Sequence, residues 1–156
     1  IPNFVMWRRR SDMISKNTEQ FKKNLAKRLI TNANKNALKA VTRSTTFVEG
    51  VVQKSIKNKG SGRTYIKGGI THTASIAGQP PATDQGNLAN NITIDISSKA
   101  NGSVVGQIIS SAPYSKALEF GTTNMEARPF MRPALRNSKN KILNIFKEEG
   151  VIKKWA

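Results

Sequence analysis

The sequence predicts an α+β domain: a long N-terminal helix, a small antiparallel sheet with a long hairpin loop, a short helix and a C-terminal helix. Three observations predict it. Apolar residues recur every fourth position through the first third of the chain, isoleucines alternate with polar residues in the middle, and Pro and Gly bracket helical patterns near the end. The strands are too few for a parallel sheet, which leaves segregated helices and a hairpin. With 156 residues, 37% of them hydrophobic, the chain suits one domain with a lean core.

Residues 1–15 read as a basic arm. Its opening, "IPNFVMWRRRSDM", carries too short an apolar run for a secretory signal. A start at Ile1 rather than Met leads us to expect a trimmed N-terminus. A helix is expected from about Lys16 to Ile56. Phe21, Leu25, Leu29, Ala33 and Ala37 step by four, and Val41, Val48 and Val52 extend the stripe. Asn17-Thr18 with Glu19 and Gln20 is the expected start. Thr42 to Thr46, "TRSTT", is where a kink or break is expected, because Thr and Ser hydroxyls compete for backbone hydrogen bonds.

Residues 58–87 are rich in Gly, Ser, Thr and Pro and read as one extended loop. Inside it, Gly68-Gly69 could turn a short hairpin between Tyr65-Ile66 and Ile70 to Ile76. Gly78 to Gly86, with Pro80-Pro81, excludes a regular element. Ile92, Ile94 and Ile96 then alternate with Thr93, Asp95 and Ser97, a strand with one buried face. Asn101-Gly102 supplies a hairpin turn. The return, "SVVGQIIS", is apolar on both faces and is expected to be the more buried strand.

A short helix is expected over 113–121, opened by Pro113 and closed by Gly121. A last helix starts near Pro133, with Leu135, Ile142, Leu143 and Phe146 on one stripe and Gly150 as its stop. The domain therefore runs from 16 to 150, and 151–156, "VIKKWA", is a tail.

Charge is the strongest compositional signal: 26 basic against 9 acidic residues, a formal net charge of +17. Residues 1–60 hold 14 basic and 3 acidic side chains, while 61–112 hold 3 and 2. Polyanionic partners follow, either nucleic acid or acidic protein. Lys22, Lys23, Lys27, Arg28, Lys35 and Lys39 could line the first helix as DNA or acidic-partner contacts. The plainer reading is a solvated helix face, and few aromatics interleave for single-strand stacking. No run of eighteen apolar residues is present, so no membrane span is expected.

Catalysis finds little support. There is no cysteine and one histidine, His72, which reads most simply as a strand-surface imidazole between threonines. Glu119 and Glu126 form the best carboxylate pair, and a poor one. "GSG" at Gly60 to Gly62 lacks the preceding strand and the Lys-Ser/Thr end of a phosphate loop. We expect neither enzyme activity nor a cofactor or metal.

The segment "YSKALEFGTTNMEARPFMRPAL", Tyr114 to Leu135, stands out. Pro129 and Pro133 press Arg128 and Arg132 towards extended backbone and fix how Phe130 is presented. An ion pair between Glu119 and Arg128 would tie the short helix to this proline corner. Phe130 reads as an anchor of the local core or as an aromatic wedge between subunits, and one residue could serve as both.

Two blocks of this sequence resemble the HK97-type phage tail-completion, or head–tail joining, family (gene-product-ten-like). One is carried by Tyr114, Glu119, Phe120, Gly121, Thr122, Ala127, Arg128, Pro129, Phe130, Arg132, Pro133 and Ala134. The other is "SGRTYIKGGITHTASIAGQPPATDQGNL", carried by Ser61, Gly62, Arg63, Tyr65, His72, Ala74, Ser75, Gly78, Pro80, Pro81, Ala82, Gly86 and Leu88. Gln85 stands where that family commonly has Thr, and "NNITI" replaces a more usual Leu-x-x-Ser-Ile. The resemblance covers roughly residues 16–150.

It implies a non-enzymatic virion protein of a tailed bacteriophage, placed at the head–tail junction after assembly in the host cytoplasm. Copies would form a ring, a hexamer by analogy, between the head connector or adaptor and the tail tube or tail terminator, with double-stranded DNA in transit through it. Tyr114, Glu119, Phe120, Gly121, Arg128, Pro129, Phe130, Arg132 and Pro133 would form the motif corner or subunit contact. Arg63, Tyr65, Gly78, Pro80, Pro81 and Gly86 would belong to an assembly loop that orders on joining its neighbours. At +17 per copy, a lumen lined by residues 16–60 would grip DNA, so we expect most of that charge to face outward or to meet acidic rings. The alternative is a stand-alone basic nucleic-acid-binding protein, with a nuclease a distant third.

Overall fold

The computed structural model describes residues 3–82 and 86–152, with side-chain environments from residue 17 onward, Lys67 excepted. It is an α+β fold. Helix α1 runs from Asn3 to Lys57, 55 residues and about 80 Å long at 1.5 Å per residue. Two hairpins follow: β1 (Thr64–Lys67) with β2 (Ile70–Thr73), and β3 (Ile92–Ser98) with β4 (Val104–Ser110). A single turn of helix, α2 (Asn87–Asn90), sits between the hairpins. Helices α3 (Ser115–Phe120) and α4 (Met131–Glu148) complete the described chain, and most of the expected tail, 153–156, lies outside the described residues.

Helix α1 corrects two expectations. The helix starts at Asn3 rather than near Lys16, so residues 3–15 are helical and 17–20 lie mid-helix, where Glu19 pairs with Lys22 at 3.0 Å. Nor does the helix break at Thr42–Thr46. The Thr42 and Thr45 hydroxyls donate to the carbonyls of Leu38 and Val41, both at 2.8 Å, one turn back. That bond leaves the helical ladder intact. Ser44 and Thr45 are buried against the rest of the fold, so tertiary packing overrides local propensity.

The core gathers where α1 passes the other elements. Val48, Val52 and Ile56 of α1 meet Leu88 and Ala89 of α2, Ile92 of β3, Ala112, Phe130, and Ala134 of α4. The apolar stripe behaves otherwise before this point. Each step of four residues turns about 40° further round a helix of 3.6 residues per turn. Val48 and Val52 reach the core and Ala37 and Val41 are half-buried, whereas Phe21, Leu25 and Leu29 lie on another side, and no described element covers any side of α1 there. These three are 67%, 45% and 61% exposed, and every described side chain from 17 to 36 is exposed.

The hairpins are two separate two-stranded antiparallel sheets. Gly68-Gly69 turns the first, which ends at Thr73 rather than Ile76. The second pairs Ile92 with Ser110 through Ser98 with Val104. Its turn carries Gly102 in the left-handed region, and Lys99 and Ser103 extend the pairing, which makes a three-residue loop with a bulge rather than a two-residue turn. Burial is shared between the strands: β3 buries Ile92 and half-buries Ile94 and Ile96, while β4 buries no residue fully but half-buries Val104, Val105, Ile108 and Ser110. Helix α1 packs across this hairpin, touching both strands. Gly106 lies directly against α1, where an added Cβ would stand 2.1 Å from Thr45 Oγ1.

Helix α4 packs through Ala134, Ser138 and Ile145. The expected stripe is offset from this line: Ile142 and Phe146 are half-buried, but Leu135 and Leu143 are exposed. Gly150 N–H to Lys147 C=O (3.2 Å) and Val151 N–H to Phe146 C=O (3.0 Å) close its C-terminus as a Schellman motif.

Candidate functional site

The Tyr114–Leu135 segment folds as a corner between α3 and α4, and one side chain organises it. Glu119, 7% exposed, accepts the backbone N–H of Phe130 (2.8 Å) and Met131 (3.0 Å) on Oε2 and that of Arg132 (3.0 Å) on Oε1. These are amides at the start of α4, which its own helix leaves without partners. A carboxylate there also meets the positive end of the helix dipole. Glu119 thus caps α4 from a distant point in the sequence. The expected Glu119–Arg128 ion pair is not formed. Both carboxylate oxygens face the helix end, and Arg128 Nε is buried without an acceptor. Arg128 instead joins the corner through its backbone, its N–H donating to Leu118 C=O at 2.7 Å.

Gly121 closes α3 at φ +77°, and a Cβ there would come within 2.9 Å of Met125 C=O. Thr122 and Met125 then pair across a small turn. Phe130 is 1% exposed and belongs to the core of its own chain, which decides between the two readings of it in the isolated protomer. Pro129 is half-buried; Pro133 occupies the first turn of α4, so Arg132 before it is helical rather than extended as expected, its N–H held by Glu119 at the helix start. The outward residues of the corner are Tyr114 (46% exposed), Phe120 (56%) and Arg132, whose guanidinium lies 4.4 Å from the centre of the Phe120 ring.

The two sequence blocks touch. Gly78 N–H donates to Ala127 C=O at 2.9 Å. Pro80 is half-buried, Pro81 is buried, and Gly86 precedes α2 in the left-handed conformation. Ser61 bonds Gln79 at 2.6 Å, and Gly62 N–H reaches Ala74 C=O at 2.8 Å. These bonds tie parts of the segment 58–82 to each other and to the α3–α4 corner; 83–85 lie outside the described residues. Arg63 and Tyr65 are exposed on the β1–β2 hairpin, with Tyr65 edge-on to His72 at 5.2 Å. Gly60 and Gly62 serve close backbone approach to the chain at and just beyond the end of β2.

The six cations singled out on α1 do not share a face. By helical position Lys23 and Lys27 lie on one side and Arg28, Lys35 and Lys39 on the other. Lys22 pairs with Glu19, and Lys39 with Glu149 at 3.1 Å. Lys39 and Arg43 together clamp Glu148 and Glu149 at the end of α4; Arg43 bonds Glu148 at 3.0 Å and also bonds Glu149. Arg43, then Lys39, hold the Glu149 carboxylate below its ordinary range. Two acids at the negative end of a helix are unfavourable alone, and the clamp from α1 offsets that.

Sequence reasoning missed two features. One is the capping role of Glu119, whose only signal was a carboxylate upstream of a helix start. The other is the outer face of α4, where Arg132, Arg136, Lys139 and Lys147 recur at helical spacing and are all exposed. Among the described residues no three His, Asp or Glu side chains gather as a metal site, and no helix is long and apolar enough to cross a membrane. Compared with known proteins, the chain matches no family model, no curated protein and no solved structure.

Proposed function

We propose that this chain is a structural, non-catalytic protein of a tailed-phage virion, assembling as a ring at the head–tail junction between the head connector and the tail, with DNA passing through. The two ordered sequence blocks supply the kind of assembly. The observation that carries the reading is that the protomer is incomplete by itself: Phe21, Leu25, Leu29 and Ile30 stand exposed on a helix extending beyond its own core. Two two-stranded sheets with unpaired outer edges add to this, since isolated hairpins are marginal and open edges invite pairing.

Magnitudes favour using both surfaces. Since these four side chains are already partly covered, burying what remains exposed yields about 3–7 kcal/mol before costs. Association costs an estimated 4–15 kcal/mol, so the helix stripe alone at best roughly breaks even. A closed ring uses a heterologous contact, one surface of each copy meeting a different surface of the next.

The test is electron microscopy and light scattering of the purified full chain, beside a Phe21→Ser/Leu29→Ser variant. Closed rings from the parent, and dispersed copies with unchanged melting from the variant, are expected. A parent that stays monomeric even when mixed with connector and tail proteins refutes the proposal.

A further inference from the structure

We propose that the outer face of α4 binds the sugar–phosphate backbone of double-helical DNA. Arg132, Arg136, Lys139 and Lys147 fall within an arc of about 80° on the helix, counting 3.6 residues per turn. All four are exposed, and none forms an ion pair among the described residues. No Asp or Glu occurs between Arg132 and Lys147. Exposed Asn140 and Asn144 border the arc and add uncharged donors. Leu143, 43% exposed, separates Lys147 from the other three.

The face is held rigidly. Its opposite side packs through Ala134, Ser138 and Ile145, Glu119 fixes its N-terminal end, and Lys39 and Arg43 fix its C-terminal end. Arg132 is steadied over Phe120. From Arg132 to Lys147 the stripe spans about 22 Å at 1.5 Å per residue. Duplex DNA carries one charge per about 1.7 Å of axis with both strands counted, so a row of cations of this length faces several phosphates. Phe120 lies beneath Arg132 and half-buried Phe146 lies just outside the arc, which falls short of the series of exposed rings that single-strand binding needs. On α1, Arg28, Lys35 and Lys39 share a side, but Lys39 is engaged by Glu149, and Lys23 and Lys27 lie on a different side.

The inference stands apart from the ring: a monomer that binds duplex through α4 would sink the ring and leave this site intact. The experiment measures binding of the full chain to a short random-sequence DNA duplex by fluorescence anisotropy across a salt series. Four contacts give a slope of log K against log salt near about −3.6, and Arg136→Ala/Lys139→Ala/Lys147→Ala should flatten it by about 2.7. A Lys23→Ala/Lys27→Ala/Lys35→Ala variant should change it by less than about one contact, some 0.9. All six are exposed side chains, and circular dichroism checks that both variants fold. The proposal is overturned if the α1 variant flattens the slope more than the α4 variant does. It is equally overturned if polyglutamate or single-stranded DNA competes as well as duplex, or if no salt-dependent binding occurs.

Discussion

Removing the Glu119 carboxylate should loosen the start of α4 and weaken the whole fold. A single capping bond costs about 0.5–2 kcal/mol when lost. Here one buried, ionisable acceptor serves three backbone donors at 2.8, 3.0 and 3.0 Å. Bonds to charged groups contribute about 1.5–3 kcal/mol each but are not additive around one acceptor. Glu119→Ala should therefore cost about 3–5 kcal/mol, a large part of the roughly 5–15 typical of a domain. Glu119→Gln preserves shape and one oxygen. If that oxygen takes the place of Oε2, the Phe130 and Met131 bonds persist while the amide nitrogen opposes Arg132 N–H, and the loss should be about 1.5–3 kcal/mol. Urea unfolding followed by circular dichroism measures both, and amide exchange at 130–132 should accelerate. An alanine variant costing under about 1 kcal/mol, or a glutamine variant costing as much as alanine, would refute the capping argument.

Phe130→Ala, at a 1% exposed core position, should cost about 3–5 kcal/mol in the same unfolding assay. Gly106→Ala should cost about 1–3 kcal/mol, since its Cβ would meet Thr45 Oγ1 at 2.1 Å and Val41 Cγ1 at 2.8 Å; the Thr45 hydroxyl is itself bonded to Val41 C=O, which hinders relief. Glu149 is depressed by Arg43 and Lys39, so its contribution is full above the ordinary carboxylate value near 4.5 and is lost as pH falls through the folded value. The stability gap between the parent and Arg43→Ala should accordingly close on acidification below that range, as read by urea midpoints at a series of pH values.

The elements were largely legible because their signals are local. The alternating isoleucines of 92–96, the Gly68-Gly69 and Asn101-Gly102 turns, and the Gly121 and Gly150 stops each depend on a few neighbouring residues. Thr42–Thr46 misled because the helix-breaking tendency of Thr is weak, and packing of Ser44 and Thr45 outweighs it. The stripe from Phe21 to Val52 misled because nothing among the described residues covers α1 from 17 to 36: every described side chain there is exposed, including Ile30 on the side that Val48 buries. Glu119 and Arg128 carry opposite charges, nine residues apart, but the amides of α4 reach the carboxylate instead.

By itself the sequence determined the α+β class, the order of helices and hairpins and the excess of positive charge, since each follows from periodicity or composition within a short stretch. Only the tertiary structure decided that Phe130 lies inside its own protomer, that Gly78 meets Ala127, that Glu119 caps α4, and which cations remain unpaired and share a face. Those outcomes depend on which groups arrive together from distant parts of the chain, and on where the second half of α1 finds cover that its first half lacks.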